Sequence, residues 1–131
     1  MIVLDTQAWI WWLHHPEKLT AKARLLLQKG EKNQSLLVSV ISLWEIALKT
    51  GLGKLQLPLE INEWFRQACS YPGITIEVLS PEDAIASTQL PGEFHKDPAD
   101  RFIVTLARRH GATLITSDKQ ILDYPHVETV W

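Results

Sequence analysis

The sequence predicts an α/β protein, a three-layer sandwich around a mostly parallel central sheet. Two observations carry that expectation. Short apolar runs at residues 1–4, 36–40, 74–79 and 112–116 alternate with segments of helical pattern, the order of strands joined by crossover helices. Four acids, Asp5, Glu45, Asp100 and Asp118, fall where the chain passes from an apolar run into a helix, or enters a helix after a turn. In α/β sheets the level beyond the carboxyl ends of the strands is where ligands bind. The four acids, far apart in sequence, are therefore expected along one edge of the sheet.

Each element has a local reason. Residues 1–4 read as a buried strand closed by Asp5, and residues 6–14 as a helix stopped before Pro16. Thr20 opens a second helix, expected to run to about residue 28 with Gly30 as its stop. Residues 36–40 are β-prone. Ser42 with Glu45 three positions on forms a capping-box pattern, predicting a helix from Ser42 to about Thr50 that ends at Gly51. Residues 59–69 read as a helix and 74–79 as a strand. Ser80-Pro81-Glu82-Asp83 starts another helix, and Pro91-Gly92 is a turn. Residues 97–110 are predicted helical, with Gly111 beyond the end, followed by a strand at 112–116 and a short last strand at 127–130. The arithmetic closes. A helix of about eleven residues descends roughly 16 Å, and the next strand climbs about as far. Asp118 thus returns to the level of Asp100.

The 131 residues predict a single domain, residues 1–131, with 46% hydrophobic and 21% charged side chains, ordinary for a soluble globular protein. No apolar stretch approaches the ~20 residues that span a bilayer. No signal-peptide pattern is present, and Cys69 is alone, so the cytoplasm is the expected location and no membrane partner is expected. A net charge of −2 argues against a general nucleic-acid coat protein but not against a nuclease with local basic groups. Trp9 and Trp12, one helical turn apart, suggest an apolar stripe available to a protein interface.

Carboxylates gathered on one edge repel each other, and a divalent cation is the simplest way to tolerate the cluster. Each acid also has a structural reading. Glu45 fits the capping box. Asp100 suits the positive end of its own helix, and Asp118 suits the cap of a short helix after it. Asp5 is harder to place that way, because a carboxylate ending an apolar strand is costly unless paired or ligating. The candidate ligands are all oxygen. None of the five histidines has a partner at zinc-like spacing, so Mg²⁺ or Mn²⁺ is favoured over zinc. Such ions usually serve phosphate chemistry, activating water and neutralising charge at the scissile group. Thr6, Lys49, Arg101 and Ser117 are candidate substrate contacts, with Lys54 and Lys119 behind them. Lys49 is also a plain i+4 ion-pair partner for Glu45. Neither a P-loop, a GxGxxG turn nor a GxSxG elbow is present.

At these residues the chain resembles the PIN-domain family, and within it the VapC-type ribonuclease toxins of toxin–antitoxin pairs. The resemblance rests on Leu4-Asp5-Thr6, on residues 42–49 (SLWEIALK), on Gly51-Leu52-Gly53-Lys54-Leu55, on residues 95–101 (HKDPADR) and on residues 114–118 (LITSD). The family's acidic quartet falls on Asp5, Glu45, Asp100 and Asp118. Asp97 also matches and suits a helix cap before Pro98. What the resemblance implies is a Mg²⁺- or Mn²⁺-dependent endoribonuclease with an RNA substrate, usually a homodimer, neutralised by a cognate antitoxin. An RNA-processing nuclease of the same fold is the nearest alternative. A Mg²⁺-binding phospho-acceptor signalling domain is the other, although it would need a second acid beside Asp5 and a Lys-Pro pair where Lys119-Gln120 stands.

Overall fold

The computed structural model describes residues 1–131 and is built on five strands, all parallel, in the order β3-β2-β1-β4-β5. They are β1 (Ile2–Leu4), β2 (Leu36–Ser39), β3 (Ile74–Glu77), β4 (Thr113–Ile115) and β5 (Thr129–Val130). The helices are α1 (Thr6–His14), α2 (Ala21–Lys32), α3 (Val40–Gly51), α4 (Ile61–Cys69), α5 (Pro81–Ala86), α6 (Pro98–His110) and α7 (Lys119–Leu122), with a 3-10 turn at Pro16–Lys18. Parallel strands demand crossovers, and the helices supply them on both faces.

Strand alternation divides the core in two. Leu4, Leu36, Val38 and Ile115 face a cluster with Ala8, Trp9, Leu27, Ile46 and Trp64. Their neighbours Val3, Leu37 and Leu114 face the opposite way, onto Ile103, Val104 and Ala107 of α6 and Ile121 of α7. Period-two side chains on a sheet buried on both sides explain why these strands read as unbroken apolar runs. The chain adds β2 and β3 on one side of β1, then returns to place β4 on the other. The order therefore reverses between β1 and β4, and the crevice above their carboxyl ends is the switch point of the sheet.

Several expected boundaries move, each for a visible reason. Gly30 does not stop α2. A Cβ there would lie 2.4 Å from Leu36 Cδ2, so the glycine lets the helix pass close to β2, and α2 continues to Lys32. Ser42 is not a cap. The helix begins directly where β2 ends, and Ser39 is its N-cap, accepting from the Ile41 amide at 3.1 Å. Ser42 is instead fully buried beside Thr6, which removes the capping-box reading of Glu45. The helix predicted at 59–69 starts at Ile61 behind a Glu60 cap, and β3 stops at Glu77. Trp9 is entirely buried and meets Trp64 edge-on at 5.1 Å between centroids, so no Trp9–Trp12 stripe is open to a partner. The apolar stripe that solvent does reach lies on α3, where Trp44 and Leu48, with Leu52 just past its end, follow one another at i, i+4 and i+8.

Candidate active site

The local fold raises each acid for a reason written in its backbone. Asp5 is the N-cap of α1: one carboxylate oxygen accepts from the Ala8 amide at 2.8 Å. Asp118 caps α7 through the Gln120 amide at 2.8 Å. Asp97 caps α6 through the amide of Asp100 at 3.1 Å, which sets Asp100 in the first turn. Glu45 stands one turn and a half into α3. All the relevant helices begin at the carboxyl edge of the sheet, so their positive ends partly offset the negative charge gathered there.

The four acids of the quartet line one cavity of about 580 Å³, together with Asp97, Thr6, Gln7, Lys49, Lys54 and Ser117. Thr116 ties the two central strands to it. Fully buried, it donates to the second oxygen of Asp5 at 2.5 Å and accepts from the Asp118 amide at 3.0 Å. Thr6 Oγ1 donates to Glu45 Oε1 at 2.5 Å and lies 2.8 Å from the Ser42 hydroxyl. Lys49 Nζ is 3.6 Å from Glu45 Oε2, so the expected ion pair forms at the rim of the same cavity.

The electrostatics show that the acids feel one another. Burial pushes the Asp5 carboxyl up to about 6, with the charges of Asp118 and Glu45 adding to it and the Thr116 and Ala8 hydrogen bonds opposing. Asp100 is pushed to about 7, by burial first, then by Asp97, Asp118, Glu45 and Asp5. His95 places Nε2 3.1 Å from Asp100 Oδ2, an ion-pair distance that is not aligned as a hydrogen bond.

Arg101 stands apart from its expected role. Its guanidinium donates to the carbonyls of Ser87 (2.8 Å), Phe94 (3.0 Å) and His95 (3.1 Å), and it does not line the cavity. One residue past Asp100 is about 100° around the helix, which turns it toward the loop carbonyls. The sequence assigns no role to Thr116 or His95, although both lie in segments that carry the family resemblance. Thr116 carried one signal, a polar residue placed to point inward at the end of an apolar strand. His95 carried only its nearness to the Asp97-Pro98 turn.

Oxygen donors in an open cavity suit a hard cation that keeps much of its water, as Mg²⁺ does. The acids do not close into a ready cage, since no three acidic, histidine or cysteine side chains converge on one point. A cation that takes one or two carboxylates and several waters fits this arrangement; one demanding a full protein shell does not.

The PIN domain profile matches residues 2–127 of this sequence. The chain belongs to the PIN domain family. It is 29% identical over 132 residues to Ribonuclease VapC22 of Mycobacterium tuberculosis, covering 99% of this chain and 98% of that protein. Among solved structures it superposes on VapBC2 from Rickettsia felis bound to a promoter DNA fragment, with a TM-score of 0.72 at 20% identity over 100% of this chain and 99% of the other. DNA-bound VapBC from Salmonella typhimurium gives a TM-score of 0.71 at 18% identity, covering 98% and 96%. FitAcB from Neisseria gonorrhoeae gives 0.68 at 20%, covering 100% and 97%. At those identities the likeness is one of fold.

Proposed function

We propose that this PIN protein is a Mg²⁺- or Mn²⁺-dependent endoribonuclease, the toxin of a toxin–antitoxin pair, acting as a homodimer and held inactive by a cognate antitoxin protein. The observation that carries the chemistry is the convergence of Asp5, Glu45, Asp100 and Asp118 in one cavity at the switch point of the sheet. The full-length similarity to a VapC ribonuclease supports RNA as substrate. The VapBC and FitAB structures of the same fold support a protein antitoxin as partner.

In this reading one or two of the four carboxylates would hold the cation directly and the others would face its waters; once bound, it would supply an activated water and neutralise charge at the scissile phosphate. The chain's own residues do the rest. Thr116 and the Ala8 amide fix both oxygens of Asp5, so that carboxylate cannot turn away. Thr6 orients Glu45. Asp97 caps α6 and so sets Asp100 in its first turn at the wall of the cavity. Lys49 and Lys54 bring positive charge to the rim of the cavity, where a polyanion must approach the acids.

The deciding experiment incubates the pure protein with tRNA and rRNA in Mg²⁺, Mn²⁺ or EDTA and sequences the ends produced. Defined cuts in Mg²⁺ or Mn²⁺ that vanish in EDTA are expected. Intact RNA under every condition would overturn the enzyme assignment. A neighbouring gene for a small DNA-binding protein would separate a toxin from an RNA-processing enzyme.

A further inference from the structure

The acid cavity does not end at the acids. A second cavity of about 400 Å³ opens beside it along α1, and the two share Gln7, Ile10 and Leu55 as walls. The character reverses across that wall. Five acids line the first cavity, whereas none lines the second, which presents His14, His15, Lys18, Gln56 and Trp11. In a chain with an excess of acids, a pocket lined by no carboxylate and carrying the Lys18 ammonium, with Glu17 outside it paired to His15 at 3.4 Å, opens from the acid site where a polyanion can lie.

Two details make the pocket fit nucleotides better than a free anion. The Lys18 ammonium stands 5.9 Å from the centroid of the Trp11 ring, and Trp11 is half-buried with Trp131 at 5.5 Å. The ammonium lies over the ring, so a base stacks on the indole as the exposed Lys18 side chain swings aside to meet the phosphate, a pairing of the kind that binds single strands. His14 adds a fixed donor. Its Nε2 accepts from Trp64 Nε1 at 2.7 Å, so the neutral imidazole carries its proton on Nδ1. Burial lowers its pKa further.

We propose that the trough along α1 is a binding track for single-stranded RNA, on which Trp11 stacks a base and Lys18 contacts a phosphate several nucleotides from the scissile bond. This rests on the ribonuclease reading for the identity of the strand, but it concerns binding and not hydrolysis. A polypeptide is the competing occupant. The reversal of charge and the cation–aromatic pair favour RNA.

The test measures binding of labelled single-stranded RNAs of about four and about twelve nucleotides by anisotropy in Mg²⁺, in an Asp118→Asn background so that strands stay whole. The longer RNA should bind more tightly than the shorter one. Trp11→Leu and Lys18→Glu should each weaken the longer RNA by roughly tenfold and leave the shorter one unchanged. Lys18→Ala should also reduce the salt slope by about 0.7. Lys18 is exposed, so its variants keep the test sound if Trp11→Leu fails to fold. Equal affinity for the two lengths, or Lys18 variants with wild-type affinity and slope, would overturn the track and leave the trough to a peptide. Cleavage is scored separately. A protein that shows the length effect yet never cuts would retain the track and refute the hydrolysis.

Discussion

Thr116 holds two acids from one hydroxyl, donating to Asp5 and accepting from the Asp118 amide. Removing that hydroxyl in Thr116→Val leaves a buried carboxylate without its donor, which costs about 1–3 kcal/mol. Urea unfolding should register that loss, and RNA cleavage should fall at least tenfold. Thr116→Ser keeps the hydroxyl and should recover most of both. A valine variant with full activity would show that Asp5 needs no such restraint. Among the acids themselves, Asp5→Asn, Glu45→Gln, Asp100→Asn and Asp118→Asn should each lower cleavage by about two orders of magnitude or more, with circular dichroism unchanged. Two such variants cutting at the normal rate would refute the site.

The raised carboxyls also set a pH dependence. Asp5 and Asp100 titrate near 6 and 7 in the folded chain against 3.8 for an ordinary aspartate. The folded state therefore binds more protons than the unfolded state between those values. Their contribution to stability is fully present below pH 3.8 and is lost as pH rises through 6 and 7. Thermal melts in EDTA should show this loss between about pH 4 and pH 7. Asp100→Asn should flatten the trend and raise the melting temperature at pH 8. Mn²⁺ binds the charged carboxylates, so its stabilisation should grow across the same window, reaching several degrees at saturation, and should shrink in Asp100→Asn. If that variant melts lower in EDTA and keeps the full response to Mn²⁺, Asp100 is a helix-start residue only.

At the scale of elements, Gly30 and Arg101 govern how helices meet the rest of the chain. Gly30→Ala forces a Cβ to within 2.4 Å of Leu36 Cδ2, and overpacking of this kind costs about 1–3 kcal/mol. The unfolding midpoint in urea should drop while cleavage persists at low temperature. Arg101→Leu should loosen residues 87–95, seen as faster amide exchange there, because three carbonyls lose their donor. What the sequence made legible follows the same division. Thr20 and Ser80 before helices and Asp97 before Pro98 each carry a local signal, and each caps the helix expected of it; Asp5 ends its strand as expected, but its cap on α1 supplies the structural reading that its sequence position did not suggest. Ser39 and Ser42 are both serines at the end of an apolar run, and only tertiary contact with Thr6 draws Ser42 inward. The direction of the Arg101 side chain depends on a loop that is packed by other elements. No window of sequence around it holds that information.

At the scale of the whole molecule, the sheet order puts its switch point beside the acids and leaves an apolar stripe of α3 open to solvent. Trp44 is 54% exposed and Leu52 60% exposed on the α3 stripe. This is a face a homodimer would gain by covering. Sedimentation should find a dimer that Trp44→Ser weakens. A monomer at high concentration, unaltered by the substitution, would remove the dimer from the proposal.

Asp5 and Asp118, two acids of the proposed site, also start their helices, and on the nuclease reading this constrains how such a protein could lose its activity. Replacing a capping aspartate with alanine costs about 0.5–2 kcal/mol, whereas asparagine caps nearly as well. Asp118→Ala should therefore melt measurably below Asp118→Asn although both are equally silent toward RNA. Descendants that shed the nuclease and survive as folded proteins would pass through the narrow set of side chains that still accept an amide hydrogen. Decay at Glu45, which caps nothing, has no such filter. The order in which the acids disappear from inactive copies is then written by helix chemistry as much as by catalysis.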